Sequence, residues 1–181
     1  MSELNIRSAE IWDAQELLDI YGPYVEHTAI SFEYDVPDIE EFRHRMETIL
    51  LKYPYLVAVY EGEIVGYAYA TTFKDRKAYD WSVETTIYMK ESMKGKGYGK
   101  RLYLALEEEL QKRNILNANA CIAVTEKEDP YLTNGSMHFH ERMGYKVVGT
   151  FHYSGKKFGR WYHMMWMEKM LGVHMENVKN S

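Results

Sequence analysis

Two apolar runs, 55–60 and 64–72, flank the tripeptide Glu61-Gly62-Glu63. A glycine at such a point, where positive φ costs little, makes the pair a hairpin of antiparallel strands. A third run at about 82–89 extends the hairpin to three strands. On either side the apolar spacing lengthens to that of a helix. Ile39, Phe42, Met46, Ile49 and Leu50 recur at helical intervals behind Pro37-Asp38, with Asp38 and Glu41 spaced as a capping box. Residues 100–113 form a second strongly helical segment. Strands in the middle of the chain with helices interleaved require a sheet that carries helices on its faces.

The flanks complete the pattern. A short strand is expected at 4–7, then a helix from Ser8 or Asp13 to about Tyr21, closed by Pro23. A strand at 118–124, a polar loop at 125–135 and a short helix at 136–143 follow, with Gly144 as a left-handed cap. Strands at 145–153 and about 161–169 close the chain. The order βααβββαβαββ predicts a mixed α/β fold of the α+β type: a central, mostly antiparallel sheet of about seven strands flanked by four helices. With no repeat, low-complexity tract or linker, residues 1–181 are expected to form one domain.

Composition narrows the function classes. Lys and Arg number 22 against 27 Asp and Glu, a net charge of −5, which argues against a nucleic-acid or membrane-surface protein. The single cysteine, Cys121, excludes an internal disulfide framework and any multi-cysteine metal site. His138-Phe-His140-Glu141 has the look of a metal cluster, but residues i and i+2 point apart on a helix, so no metal is expected. The N-terminal residues lack the basic and apolar regions of a signal peptide, and no apolar run approaches the roughly 18 residues of a membrane span, so a cytoplasmic location is expected. Aromatic residues reach 14%, which suits half-buried pockets and subunit contacts or simply an aromatic core.

Lys94-Gly95-Lys96-Gly97-Tyr98-Gly99-Lys100 lies between a strand and a helix. Its glycines leave successive N–H groups free, the helix start adds partial positive charge, and the lysines concentrate cations in an acidic chain, all of which suits a phosphate. A Walker A loop would need Ser or Thr after Lys100, where Arg101 stands; a dinucleotide loop would need the spacing G-x-G-x-x-G. A plain glycine-rich turn stays open beside the phosphate reading. Glu84, in Trp81-Ser-Val-Glu-Thr-Thr-Ile-Tyr88, is by pattern either a carboxylate on a solvent face or a buried one with a raised pKa.

Lys94-x-x-Gly97-x-Gly99 resembles the Gln/Arg-x-x-Gly-x-Gly/Ala loop of the GNAT superfamily of acyl-CoA-dependent N-acetyltransferases, with lysine in the first place. Ser31-Phe32, residues 52–58, Ala78-Tyr79-Asp80-Trp81 with Glu84, residues 140–145 and Gly155-x-Lys157-x-Gly159-x-Trp161 are similar to segments of the phosphinothricin N-acetyltransferase family. The likeness runs from about residue 6 to 169. It implies transfer of an acetyl group from acetyl-CoA to the amine of a small amino-acid-like substrate, with no metal and with a homodimer as the assembly. It also implies Glu84 as general base and His140 in proton transfer. Gly95, Lys96, Gly97, Tyr98, Gly99 and Lys100, with Lys94, would hold the pyrophosphate. Ile87, Tyr88 and Met89 would pair with the pantetheine arm and offer an N–H to the oxyanion. Asn134 would be a further coenzyme contact, one place past the position where these enzymes often carry asparagine; Thr133 at that position and the longer preceding loop depart from the family pattern. Phe32, Arg76 and Tyr79 would line the substrate pocket, Arg76 also reading as a solvated loop charge. Two other readings remain: a different acceptor (a protein N-terminus, a polyamine or an aminoglycoside), or a non-catalytic acyl-CoA sensor.

Overall fold

The computed structural model describes residues 3–176. The elements in chain order are β1 (Asn5–Ser8), α1 (Ala14–His27), α2 (Ile39–Leu50), β2 (Tyr55–Tyr60), β3 (Glu63–Thr72), β4 (Ser82–Met89), α3 (Tyr98–Lys112), β5 (Asn117–Val124), α4 (Gly135–Arg142), β6 (Lys146–Lys157) and β7 (Arg160–Met170). One sheet holds all seven strands in the order β1-β2-β3-β4-β5-β7-β6. Each neighbouring pair is antiparallel except β4 and β5, which run parallel. The mixed, mainly antiparallel seven-stranded sheet with four helices is as the sequence led us to expect.

The pleat of the strands divides the core in two. Leu56 and Ala58 of β2 face Leu102, Leu106 and Leu110 of α3, whereas Tyr55 and Val57 face Leu17 and Val25 of α1 and Met46 of α2. The sheet is therefore covered on both sides, and what separates the two layers is the sheet itself. Among the described residues no helix is long and apolar enough to cross a membrane.

Two local expectations need correction. Pro23 does not close α1, which continues to His27 with the proline inside it. An interior proline costs about 3 kcal/mol. Beyond it, Tyr24 and Val25 are buried at about 1.5–3 kcal/mol each, which outweighs that cost. Tyr24 also donates its hydroxyl to the Met89 carbonyl of β4, fixing the last turns of α1 to the sheet. At α2, Asp38 Oδ1 accepts from the Glu41 N–H at 2.8 Å, but the Glu41 carboxylate accepts instead from Arg45 Nε at 2.8 Å, so the cap is one-sided.

Candidate active site

The parallel seam is short. Ser82, Val83 and Glu84 of β4 pair with Asn117, Ala118 and Asn119 of β5, and the ladder ends there. Past Glu84 the two strands part, and a cavity of about 280 Å³ opens between Thr85, Thr86, Ile87 and Tyr88 on one side and Ala120, Cys121, Ile122 and Ala123 on the other. The β4 edge that faces this gap keeps main-chain groups without ladder partners, ready to pair with an extended ligand.

Glu84 stands at the inner end of the gap, where pairing stops. In register it lies opposite Thr71 of β3, on the same face as Thr86 and Tyr88 and the Tyr67–Tyr69 rings. The Tyr88 ring packs on Tyr67 at 5.6 Å and on Tyr21 and Tyr24 of α1 at 5.0 Å each. Burial raises the Glu84 pKa above the ordinary glutamate range, while the Lys74 ammonium pulls it back. Cys121 opens onto the cavity from β5 and is exposed to solvent there. Its partly desolvated thiol, facing the Glu84 charge, is pushed up to about 12, so the sulfur is a neutral lining group.

His140 reaches the same cavity from the other face. It is buried, on α4, with Nδ1 2.8 Å from the Ser136 carbonyl and Nε2 3.1 Å from the Tyr103 hydroxyl of α3. Burial lowers its pKa, partly offset by the Ser136 carbonyl. A carboxylate and an imidazole thus face one cavity across the split sheet.

At the mouth, the glycine loop has the conformation that glycine permits. Gly95 and Gly97 have φ of 76° and 80° with nothing within 4 Å of an added Cβ, and Gly97 caps α3. None of residues 94–100 lines the cavity itself; the first N–H groups of α3, just past Gly97, lack intrahelical partners, as an anion site requires. Gly99 touches Ile87, Met89 and Phe139 side chains at 3.6–3.8 Å from an ideal Cβ, which joins the loop to β4 and α4. Lys94 pairs with Glu91 and lies 4.8 Å over the Tyr24 ring; Lys96 and Lys100 are exposed, and Tyr98 packs on Tyr60 at 5.1 Å.

The remaining sequence-derived residues are placed unevenly. Phe32 lines the cavity, as do Ile87 and Tyr88, whereas Met89 turns its side chain toward Gly66. Arg76 and Tyr79 lie exposed on the β3–β4 connection, outside the cavity lining, with Tyr79 edge-on to Phe73. The Asn134 side chain closes its own loop, accepting from Thr125 N at 3.1 Å and donating to Thr125 O at 2.9 Å. Ile30, Ser31, Tyr69, Ser136 and Met164 complete the lining, and Lys74 acts on Glu84 from the connection. None of these six was assigned a site role from sequence, although Ser31 stands in a segment that carries the family resemblance. For Tyr69 the signal was available in principle, since it is opposite Thr86, two residues on from Glu84. Among the described residues, no group of three or more His, Cys, Asp or Glu could hold a metal ion.

A sheet that parts at a central parallel seam, beside a helix led in by glycines, belongs to the acetyl-CoA-dependent N-acetyltransferases. The chain is a member of the GNAT family: the model of the acetyltransferase (GNAT) domain matches residues 6–166. It is 33% identical over 159 residues to a phosphinothricin N-acetyltransferase of Streptomyces viridochromogenes, covering 88% of this chain and 83% of the relative. To an L-methionine sulfoximine/L-methionine sulfone acetyltransferase of Salmonella typhimurium it is 29% identical, over 94% and 96% of the two chains. A crystal structure of a phosphinothricin acetyltransferase from Sinorhizobium meliloti in complex with acetyl-CoA matches at a TM-score of 0.86 and 30% identity, over 97% of this chain and 95% of that one.

Proposed function

We propose that this chain transfers the acetyl group of acetyl-CoA to the amino group of a small amino-acid-like substrate of the phosphinothricin or methionine sulfoximine type. The observation that carries the proposal is the position of Glu84, half-buried at the point where β4 and β5 part, with its pKa raised. An amine at neutral pH is mostly ammonium and attacks only after losing a proton, and a carboxylate with a raised pKa is a better acceptor for that proton. In this reading Glu84 takes the proton, the freed nitrogen attacks the thioester carbonyl, and the oxyanion is met by an N–H of the unpaired β4 edge. The C–S bond then breaks, and the thiolate takes a proton for which His140 is the source.

The coenzyme would lie along Ile87, Tyr88 and Met89, with its pyrophosphate at Lys94–Lys100 glycines and N–H groups, and Asn134 at the far loop. Phe32 faces the amine. Arg76 and Tyr79 would have to come in from the β3–β4 connection, where Lys74 already influences Glu84. The methionine sulfoximine and phosphinothricin enzymes among the relatives support this substrate class.

The test is release of free CoA thiol, which should require both acetyl-CoA and an amine from a panel of amino acids and their sulfoximine and phosphinate analogues. Thermal stabilisation by acetyl-CoA with no thiol released by any amine would favour the sensor reading instead. A homodimer is the assembly we propose, because the edge strand β6 exposes Val147, Val148, Phe151 and Tyr153 and the neighbouring β7 exposes Trp161. Within residues 158–166, an aromatic stretch that fits either a subunit contact or core packing, Trp161 is open, whereas Tyr162 is buried. Light scattering that gives the mass of one chain would overturn the dimer.

A further inference from the structure

Both nitrogens of His140 are engaged within the protein, Nδ1 with the Ser136 carbonyl and Nε2 with Tyr103. The chain of contacts does not stop there. The Tyr103 hydroxyl lies 2.6 Å from Thr85 Oγ1, and Thr85 Oγ1 lies 3.2 Å from the Asn119 carbonyl of β5. The series Ser136 O, His140, Tyr103, Thr85, Asn119 O therefore has four contacts and a carbonyl, which can only accept, at each end. Thr85 is the member other than His140 and Ser136 that also lines the cavity.

Counting protons decides what this series does. A charged imidazole brings two, and each hydroxyl brings one, so all four contacts are filled and every donor points away from His140. A neutral imidazole leaves three protons for four contacts. Its Nδ1–H stays on Ser136 O, Nε2 accepts from Tyr103, Tyr103 accepts from Thr85, and Asn119 O is released. The two arrangements differ by one proton shifted along each link.

We infer that Tyr103 and Thr85 carry the proton of His140 to the cavity, so that Thr85, and not the imidazole ring, is the group that meets the departing thiolate. This rests on the reading of His140 given above; because burial lowers the imidazole pKa, the relay runs on the charged fraction of His140 and the rate falls as pH rises through its midpoint. In the step, the Thr85 hydroxyl turns from Asn119 O and gives its proton to the thiolate sulfur. Thr85 takes the Tyr103 proton, Tyr103 takes the one on Nε2, and the imidazole ends neutral. The proton balance closes with no further reactant. Thr85 would touch the leaving group, and Tyr103 acts through it as a positioning residue.

The titratable groups around the imidazole are few. Tyr103 and Tyr145 pack on it at 5.3 Å between rings, from α3 and from the residue before β6. Glu107, one turn further along α3, is paired with Lys169 of β7 at 2.6 Å. Glu84 and Cys121 face the same cavity from β4 and β5. On α4 itself His138 and Glu141 are exposed and paired with each other at 3.0 Å.

The experiment compares Thr85→Val, Thr85→Ser and Tyr103→Phe in the full chain, with the His140 midpoint read by NMR titration and kcat by thiol release. The Tyr145 hydroxyl also lies beside those of Tyr103 and Thr85, so each Thr85 variant is made in a Tyr145→Phe background and compared with Tyr145→Phe alone. In Thr85→Val the neutral imidazole then keeps both its bonds, while the charged one leaves the Tyr103 proton without an acceptor. Its midpoint should fall, as it should in Tyr103→Phe, where the charged Nε2–H loses its partner. The kcat of both should drop with little change in KM for acetyl-CoA, and the alkaline limb should move to lower pH; Thr85→Ser should regain both values. A side chain that merely packs would move neither the midpoint nor the limb. An unchanged midpoint in a folded Thr85→Val, or a kcat in it equal to that of Tyr145→Phe alone, overturns the relay. Wild-type kcat in His140→Asn would instead remove the reading of His140, and the NMR midpoint, which needs no turnover, tells the two failures apart.

Discussion

An ideal Cβ on Gly155 would stand 2.3 Å from Cε2 of Phe32. Real side chains do not approach that closely, so the aromatic ring at the cavity rim occupies space that only a glycine on β6 leaves open. The neighbouring Lys156 carbonyl accepts from the Tyr34 hydroxyl, which ties the same loop to the same strand. Gly155→Ala should therefore displace Phe32 from the cavity without touching the glycine loop. We expect KM for the amine to rise several-fold while the acetyl-CoA dissociation constant stays as in the parent; an unchanged amine KM would show that the Phe32 position does not matter to the acceptor.

Two residues further along, the Lys157 ammonium donates to the carbonyls of Val25, Thr28 and Ser31 at 2.7, 2.9 and 2.7 Å. The side chain is buried, so these three acceptors replace its water. Charge-assisted bonds of this kind are worth about 1.5–3 kcal/mol. Lys157→Met keeps the length of the side chain and removes all three. We expect a loss of stability of about 1–3 kcal/mol by urea unfolding. Hydrogen exchange should also speed up at residues 28–34, and exchange as slow as in the parent would contradict the clamp.

These two contacts mark where the sequence stopped being readable. The alternation of β2–β4, the helical face of α2 and the glycine cap at Gly144 are local patterns, and local patterns were enough to order every strand and helix. The end of α1 was misread because the burial of Tyr24 and Val25, which keeps the helix going past Pro23, depends on a sheet 30 residues away in the chain. In the site, Glu84, His140 and Phe32 came from motifs and do face one cavity. Thr85, Tyr103 and Lys74 had no motif to announce them. Their positions follow from where the β4–β5 ladder ends and which residue α3 sets opposite it, and neither is encoded in spacing along the chain.

The left-handed backbone at Gly97 gives a cleaner test of the loop than a bulky substitution does. No atom would meet an added Cβ there, so Gly97→Ala introduces conformational strain alone, about 1–2 kcal/mol for a non-glycine residue at positive φ. Part of that strain can be relieved by turning the peptide units that open beside α3. We expect weaker acetyl-CoA binding by calorimetry with kcat at saturating acetyl-CoA nearly retained. An unaltered dissociation constant would mean the coenzyme does not use this loop.

Glu84→Gln should separate activity from stability. Burial raises the folded-state pKa of Glu84 above its unfolded value, so between the two the folded chain holds the extra proton. Stability therefore falls as pH rises through that window, starting near the ordinary glutamate value of about 4.3, and the cost is fully present once pH exceeds the raised folded-state pKa. Glutamine carries no charge to bury. The variant should melt at a higher temperature than the parent at pH 7, and the gap should close as pH falls below about 4. In the same protein kcat should drop by about 10²-fold or more, as expected for loss of a general base, and the parent's acidic limb should lie above the ordinary glutamate range. An acidic limb in the parent at the usual carboxylate position, or a variant melting below the parent at neutral pH, would show that Glu84 is not held in the desolvated state on which its use as a base depends.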